Sequence, residues 1–142
     1  MAYSNICVGI SGRGDEHRVI THSLALAQGL GARITFLHVN DKLAGALSLA
    51  FLDHGERLDQ DTLARYVQTE AGGEAADVGN ASFEIREGDW LQILVELSAS
   101  FDCLVLGHHH VGSITELFTL SKDEQVINRA ACPVLVIPAD TP

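Results

Sequence analysis

The sequence has few basic residues and no long apolar run. Its 142 residues include nine lysines and arginines against nineteen aspartates and glutamates, so the formal net charge is −10. Because an acidic surface does not neutralise a phosphate backbone, we expect no nucleic-acid partner. A membrane-spanning helix needs about 20 consecutive apolar residues, whereas the longest candidate, residues 43–52, is interrupted by Gly45 and Ser48. We therefore expect no membrane partner either.

The chain also lacks a paired cysteine motif and a secretory leader. Cys7, Cys103 and Cys132 form no C-x-x-C pair and are odd in number, which favours free, buried thiols in a reducing compartment. The opening MAYSNICVGI has no basic region followed by an apolar stretch and a cleavage site. Only 3 prolines and 46% hydrophobic residues suit one packed core. We predict a cytoplasmic protein with a single domain over residues 1–142.

Motifs that carry catalysis are missing as well. The sequence contains no G-x-S-x-G elbow, no H-E-x-x-H pair and no C-x-x-C pair. Acidic pairs such as Asp59 and Asp61 fit the solvated face of a helix. We therefore expect no catalytic residues and no enzymatic activity.

Three consecutive histidines at residues 108–110 raise the question of a metal site. Neutral imidazole is the commonest metal ligand, but adjacent side chains rarely point at one ion, and the triplet contains no helical i,i+4 pair. We favour one or two imidazoles that bind loop backbone and a third in solvent. We predict no metal and no cofactor, and we interpret His17, His22 and His38 as structural.

Strand-like and helix-like periods alternate along the chain. Short runs rich in apolar and β-branched residues predict five strands, at residues 5–10, 34–39, 81–86, 103–106 and 134–137. Four helices are predicted between these strands. The first two are indicated by the spacing of Ile20, Leu24 and Ala27 before Gly29 and Gly31, and by the run from Leu63 to Ala71 before Gly72 and Gly73. The third has Trp90, Ile93, Leu94, Leu97 and Phe101 on one face after Asp89 as N-cap, and the fourth begins at the capping box of Ser121 and Glu124. This order predicts an open parallel sheet with helices on both faces. In such sheets, ligands bind at the carboxyl ends of the strands, at the point where the strand order reverses.

Segments spread over nearly the whole chain carry a resemblance to a known family. They are ICVGISGRG, ITFLHVND, REGDW, CLVLGHHHVGS and SKDEQVINRAACPVLVIP, of which REGD and ACPVLVIP are the most specific. The chain resembles the universal stress protein family. The resemblance implies a flavodoxin-like α/β fold with strand order 3-2-1-4-5, and a homodimer.

Nucleotide-binding members of that family carry a G-x2-G-x9-G-[S/T] loop after the fourth strand. Its four positions fall on Gly107, His110, Leu120 and Ser121, so two of the four match. Glycines let the backbone approach phosphates closely, whereas Leu120 places a side chain there. Ser11 stands where such members usually carry an acid. The resemblance thus favours the universal stress protein A branch, in which the loop is degenerate and ATP is not bound.

The same resemblance gives candidate residues for a degenerate nucleotide pocket. Val39 is the position whose backbone would meet adenine. Ser121 is either a residual ligand group or, as its S-x-x-E context favours, a helix cap. The turn around Arg13 is either an anion-binding turn or an ordinary βα loop. The candidate pocket residues are Ser11, Val39, Gly107, His108, His110 and Ser121.

The last strand is expected to lie at an edge of the sheet. It carries no charge, and Pro133 and Pro138 only frame it. Pairing with the same strand of a second subunit about a two-fold axis would satisfy its backbone groups. We expect apolar residues 43–52 to assist. The predicted homodimer interface consists of Val134, Leu135, Val136 and Ile137.

Three functional hypotheses from different classes follow. The leading one is a non-enzymatic stress-response protein, a homodimer that acts through an unknown protein partner or a ligand other than ATP. The second is a nucleotide-binding module whose altered loop still holds ATP or AMP, with slow hydrolysis. The third is a metal-dependent enzyme built around residues 108–110.

Overall fold

Five parallel strands form one sheet. The computed structural model describes residues 3–40, 57–108 and 122–140. The strands are β1 (Asn5–Gly9), β2 (Arg33–Asn40), β3 (Ser82–Glu87), β4 (Cys103–His108) and β5 (Val134–Pro138). Their order across the sheet is β3-β2-β1-β4-β5, and every neighbouring pair is parallel. The predicted flavodoxin-like α/β sheet in the order 3-2-1-4-5 is confirmed, whereas a single domain over residues 1–142 stays a prediction.

Helices cover both faces of this sheet. Those in the described residues are α1 (His17–Leu30), α2 (Gln60–Ala71), α3 (Trp90–Leu97) and α4 (Lys122–Arg129). Successive side chains of a strand point to opposite faces, so Ile6 and Val8 pack with α1 and α2, whereas Cys7 packs with α3 and α4. The central strands carry consecutive apolar residues because both of their faces are covered.

The ends of the helices follow from local hydrogen bonds. Asp89 Oδ2 accepts from Gln92 N at 2.9 Å, which confirms Asp89 as the N-cap of α3. Asp59 caps α2 in the same way, through Thr62 N at 2.7 Å. At the other end of α1, Gly31 has a φ of 64°, a left-handed conformation that ends the helix at little steric cost.

The prediction for α3 was wrong at its carboxyl end. The helix ends at Leu97, so Phe101 follows it in the chain, although Phe101 packs against the same apolar cluster. The end is set by Ser98, whose Oγ donates to Val95 O at 2.5 Å and accepts from Ala131 N at 2.8 Å. This contact with the segment before β5 is invisible to local periodicity.

The three cysteines are free, as predicted. Cys7 and Cys103 are buried, whereas Cys132 is only half-buried because it precedes β5 at the margin of the sheet. Within the described residues, the search for a helix long and apolar enough to cross a membrane found none.

We expect the free energy of unfolding to fall above pH 9.0 because of Cys7. Burial raises the pKa of this thiol from 9.0 to about 12, so the folded chain keeps a proton that the unfolded chain releases. The protonated Cys7 thiol makes its full contribution to the free energy of unfolding below pH 9.0, and this contribution falls by about 1.4 kcal/mol per pH unit above it. Thermal unfolding of the wild type and of Cys7→Ala, measured across this pH range, should show that the free energy of unfolding falls less steeply with pH in the variant. Equal slopes would contradict the prediction.

Candidate functional site

The candidate site lies at the carboxyl ends of β1 and β4, where the strand order reverses. The chain runs outward from β1 to β3 and then returns to β4 on the other side of β1. Open α/β sheets bind ligands in the crevice that opens at this point. At Gly9, an added Cβ would approach Leu106 Cδ2 to 3.0 Å, so a larger residue here would require the Leu106 side chain to move.

The structure brings several predicted pocket residues to this end of the sheet. Ser11 follows β1, Val39 is the penultimate residue of β2, and Gly107 and His108 end β4. Ile10 N donates to Leu37 O at 2.8 Å. Because backbone groups alternate sides along a strand, Val39 also directs its N–H and C=O toward the β1 side.

The remaining pocket predictions concern residues outside the described ranges. His110, Leu120 and Ser121 are among them, so their roles stay predictions. Of the histidine triplet, only His108 is described, and its carbonyl accepts from Ala139 N at 2.9 Å. Across the described parts of the chain, no group of three or more His, Cys, Asp or Glu could hold a metal ion.

A buried carboxylate organises the loop after β1. Glu16 is 0% exposed, and its two oxygens accept from Ser11 N at 3.0 Å and from Gly12 N at 2.9 Å. Gly12 and Gly14 have φ angles of 84° and 87°, which only glycine adopts readily. The glycines therefore let the loop curve around its own carboxylate.

Helix α2 holds the same loop through two side chains. Tyr66 Oη donates to Glu16 Oε1 at 2.8 Å and accepts from Gly14 N at 2.9 Å. Glu70 Oε2 accepts from Glu16 N at 3.2 Å. Burial, and then the nearby Glu16 carboxylate, raise the pKa of the Tyr66 hydroxyl well above its usual range. The phenol therefore remains a hydrogen-bond donor to Glu16 at neutral pH.

The segment after β5 closes the amino end of α1. The Asp140 carboxylate accepts from His17 N at 2.9 Å and from Arg18 N at 3.0 Å. In the opposite direction, Asp140 N donates to Asp15 O at 2.9 Å. A carboxylate at this position satisfies helix N–H groups that have no partner within the helix, and it interacts favourably with the helix dipole.

Together these contacts bind six backbone N–H groups of the first loop and the start of α1 within the protein itself. Such loops in doubly wound folds hold phosphate through backbone N–H groups and a helix amino terminus. Here the acceptors are three carboxylates and a phenol of the protein, so these N–H groups are not offered to a phosphate. The N–H groups concerned are those of Ser11, Gly12, Gly14, Glu16, His17 and Arg18.

Two histidines outside the triplet, His38 and His17, form hydrogen bonds that fit the structural role predicted for them. His38 is 3% exposed, and its Nδ1 donates to Ile10 O at 2.7 Å. This bond ties β2 to the start of the first loop. His17 Nδ1 is hydrogen-bonded to Glu70 O, which joins α1 to α2.

A second cleft, of about 670 Å³, opens beside β3. At its base the Asn40 side chain exchanges two hydrogen bonds with the backbone of Leu58, each of 2.9 Å. On its rim Arg57 Nη2 lies 2.7 Å from Glu87 Oε1. These contacts fix where the chain enters α2, and therefore where Tyr66 meets the first loop.

Four residues of the site were missed by the sequence analysis: Glu16, Tyr66 in its polar role, Glu70 and Asp140. The one local signal was the position of Glu16 directly before α1 in a glycine-rich loop. Tyr66 is 50 residues from Glu16, and Asp140 is 123 residues from His17. Local pattern carries no information about such distant pairs.

Removal of the Tyr66 hydroxyl should destabilise the protein. In Tyr66→Phe the buried Glu16 carboxylate loses a donor and Gly14 N loses its acceptor, which we expect to cost about 1–3 kcal/mol. Urea unfolding measures this loss. Tyr3→Phe is the matched control because Tyr3 is 40% exposed, and its change should stay within about 0.5 kcal/mol. Similar small changes in both variants would count against the assigned role.

Comparison with known proteins gives one family. The family model described as the universal stress protein family matches residues 2–138. Universal stress protein D of Escherichia coli strain K12 is 25% identical in an alignment of 142 positions that covers 97% of each chain. UspA from Lactobacillus plantarum superposes with a TM-score of 0.68 at 25% identity, over 96% of this chain and 99% of that one. A universal stress protein solved in complex with cAMP gives 0.73 at 20% identity, over 99% and 100%. One from Archaeoglobus fulgidus in complex with dAMP gives 0.56 at 18% identity, over 96% and 99%. The chain described above belongs to the universal stress protein family.

Proposed function

We propose that the protein is a cytoplasmic stress-response protein that works as a non-enzymatic homodimer, through an unknown protein partner or a small ligand other than ATP. Family membership supports the stress-response role. The observation that carries the ligand preference is the loop after β1. Six backbone N–H groups of this loop and of the start of α1 are bound by Glu16, Tyr66, Glu70 and Asp140.

Three further features support the exclusion of ATP. His110 and Leu120 replace glycines of the phosphate loop, and Ser11 replaces the usual acid. The formal charge of −10 adds a long-range penalty for a polyanion. These features support our proposal that the protein is most similar to the universal stress protein A branch.

The alternative is a nucleotide-binding module with an altered phosphate loop. Relatives solved with cAMP and dAMP favour it, as does the position of Val39, whose backbone groups are directed toward the β1 side above Ile10. Gly107 also keeps the small residue of the motif. In this alternative the base would bind to β2, while the phosphates would depend on residues 109–121.

Calorimetric titration with ATP distinguishes the two. We expect no binding by the wild type at physiological ATP concentrations. The double variant His110→Gly, Leu120→Gly should raise nucleotide affinity at least about tenfold, equivalent to about 1.4 kcal/mol, because backbone could then approach the phosphates. Micromolar affinity in the wild type would overturn the proposal. Mass spectrometry of small molecules retained after gentle purification would identify the natural ligand.

The homodimer proposal rests on the outer edge of β5. Leu104 N donates to Pro133 O and Ala139 N to His108 O, so the odd-numbered residues of the strand face β4. By alternation, Val134 and Val136 direct their backbone groups away from the sheet. Leu135 is 41% exposed beside them. An uncharged edge of this kind is suited to pairing with a second copy.

Replacing Val136 with Lys should weaken the dimer. Two copies of the strand would place two like charges near the two-fold axis, which costs energy in a desolvated interface. Light scattering after size-exclusion chromatography should show a dimer for the wild type at micromolar concentration and a monomer for the variant. Leu30→Lys is the control, since Leu30 is an exposed hydrophobic residue of α1. A monomeric wild type, or a Val136→Lys dimer of unchanged strength, would refute the interface.

A further inference from the structure

We propose that the outer edge of β3 and the cleft beside it bind an extended basic segment of a partner protein as an added strand of the sheet. This inference rests on the proposed action through a protein partner, and it adds where that partner binds and which chemistry its binding segment has. Three features of the molecule carry it: the direction of the backbone groups of β3, the position of the cleft and the charge of the cleft walls.

The backbone of β3 directs donors and acceptors to its outer side. Among the strands of the described residues, β3 is the last one at this side of the sheet. Gly88 N donates to Asn40 O of β2 at 3.1 Å, and backbone groups alternate sides along a strand, so the even-numbered residues of β3 face β2. The odd-numbered residues direct their N–H and C=O groups outward. They are Phe83, Ile85 and Glu87.

A contact from α2 agrees with this direction. Gln60 Nε2 donates to Phe83 O at 2.8 Å, which places that carbonyl on the outer side of the sheet. A side-chain amide thus binds the first outward carbonyl of the strand. The backbone groups of Ile85 and Glu87 lie further along the same edge, where an added strand would pair with them.

The cleft lies along this edge. Its volume is about 670 Å³, and residues of β3 line one part of it while residues 57–60, which lead into α2, line another. Binding sites for ligands commonly have volumes of about 300–1,000 Å³. Phe83 and Ile85 are half-buried and pack against the core, and Phe83 stacks on Phe36 with the ring centroids 5.9 Å apart. Alternate apolar side chains of an added strand would pack beside these two residues.

The charge of the cleft favours a basic occupant. Three carboxylates and one guanidinium are among the lining groups, in a chain of formal net charge −10. The guanidinium, that of Arg57, lies 2.7 Å from Glu87 Oε1 in a pair exposed to solvent. Such a pair contributes little to stability, so a basic side chain of a partner can share its carboxylate. An acidic segment would instead meet like charge. The three carboxylates are those of Asp59, Glu84 and Glu87.

A second copy of this chain is the less suitable occupant. The proposed homodimer pairs through β5, at the opposite side of the sheet from β3. If copies also paired through β3, the dimers would join into an open filament instead of a closed assembly. Charged side chains such as Glu84 and Arg86 are typical of edge strands that avoid pairing with themselves. A short segment of another protein binds the same backbone groups without extending the assembly.

The test uses the full chain and an octapeptide of alternating lysine and valine. Amide hydrogen exchange measured by NMR reports on each residue of β3 separately. In the free protein we expect fast exchange at Ile85 and Glu87, and slow exchange at Glu84 and Arg86 because their N–H groups face β2. The peptide should bind with a micromolar Kd and slow the exchange of the first two amides at least about tenfold. The other two should change little.

Control peptides separate strand pairing from attraction between charges. An octapeptide of alternating glutamate and valine keeps the shape and reverses the charge, so we expect no binding. The lysine and valine peptide with an N-methyl group on every amide keeps the charge and loses the donors that pair with a strand. It should not protect Ile85 or Glu87.

A pair of variants locates the binding site. Glu84→Lys reverses one charge of the cleft and should weaken binding of the lysine and valine peptide at least about tenfold. Glu74→Lys makes the same change of net charge at an exposed residue beyond the carboxyl end of α2, whereas the cleft lies at the amino end of that helix. Its affinity should stay within about twofold of the wild type, because salt screens charges at that distance.

Each outcome decides for or against the inference. Slow exchange of Ile85 and Glu87 in the free protein would overturn it, because another segment of this chain or a second copy would then already pair with β3. Absence of peptide binding would overturn it, as would equal binding of either control peptide or equal losses in the two variants. The proposed ligand preference and homodimer are judged separately, by ATP titration and light scattering, so the failures are distinguishable.

Discussion

The arrangement of the crevice depends on one buried carboxylate. A charge that is fully removed from water must be surrounded by donors, and Glu16 is 0% exposed. The donors are supplied by the loop that precedes it and by Tyr66 of α2. The glycines of the loop and the hydroxyl of Tyr66 therefore both serve the burial of this side chain.

The position of α2 is determined in turn by the end of β2. Asn40 is 5% exposed and forms a two-way hydrogen bond with Leu58, directly before the helix. The buried residues Leu63 and Val67 then pack α2 against the sheet. Because these contacts position α2, the Tyr66 hydroxyl lies 2.8 Å from Glu16 Oε1, within hydrogen-bond distance.

The crevice and the proposed dimer edge share a short connection. Two residues after β5 ends at Pro138, the Asp140 carboxylate binds the amino end of α1. Between them, Ala139 N extends the β4–β5 ladder to His108 O. The strand that carries the exposed apolar edge thus continues directly into the contacts that surround the first loop.

Much of the fold could be predicted because its signals are local. The apolar runs of β1 and β4 reflect strands covered on both faces, and Asp89 lies next to the amide it caps. The family resemblance added the strand order, which periodicity alone does not choose. The end of α3 was missed because Ser98 is tied to Ala131, from another part of the chain.

The sequence by itself determined the fold and located the crevice, because secondary structure and strand order depend on patterns read within one segment or one family. It placed Ser11 and Gly107 at the site for the same reason. Only the tertiary structure decided that Glu16 accepts hydrogen bonds from the first loop and that Tyr66 and Asp140 complete its contacts. Those partners are 50 and more residues apart in the chain, and they meet only because the packed sheet brings α2 and the end of β5 to the same loop.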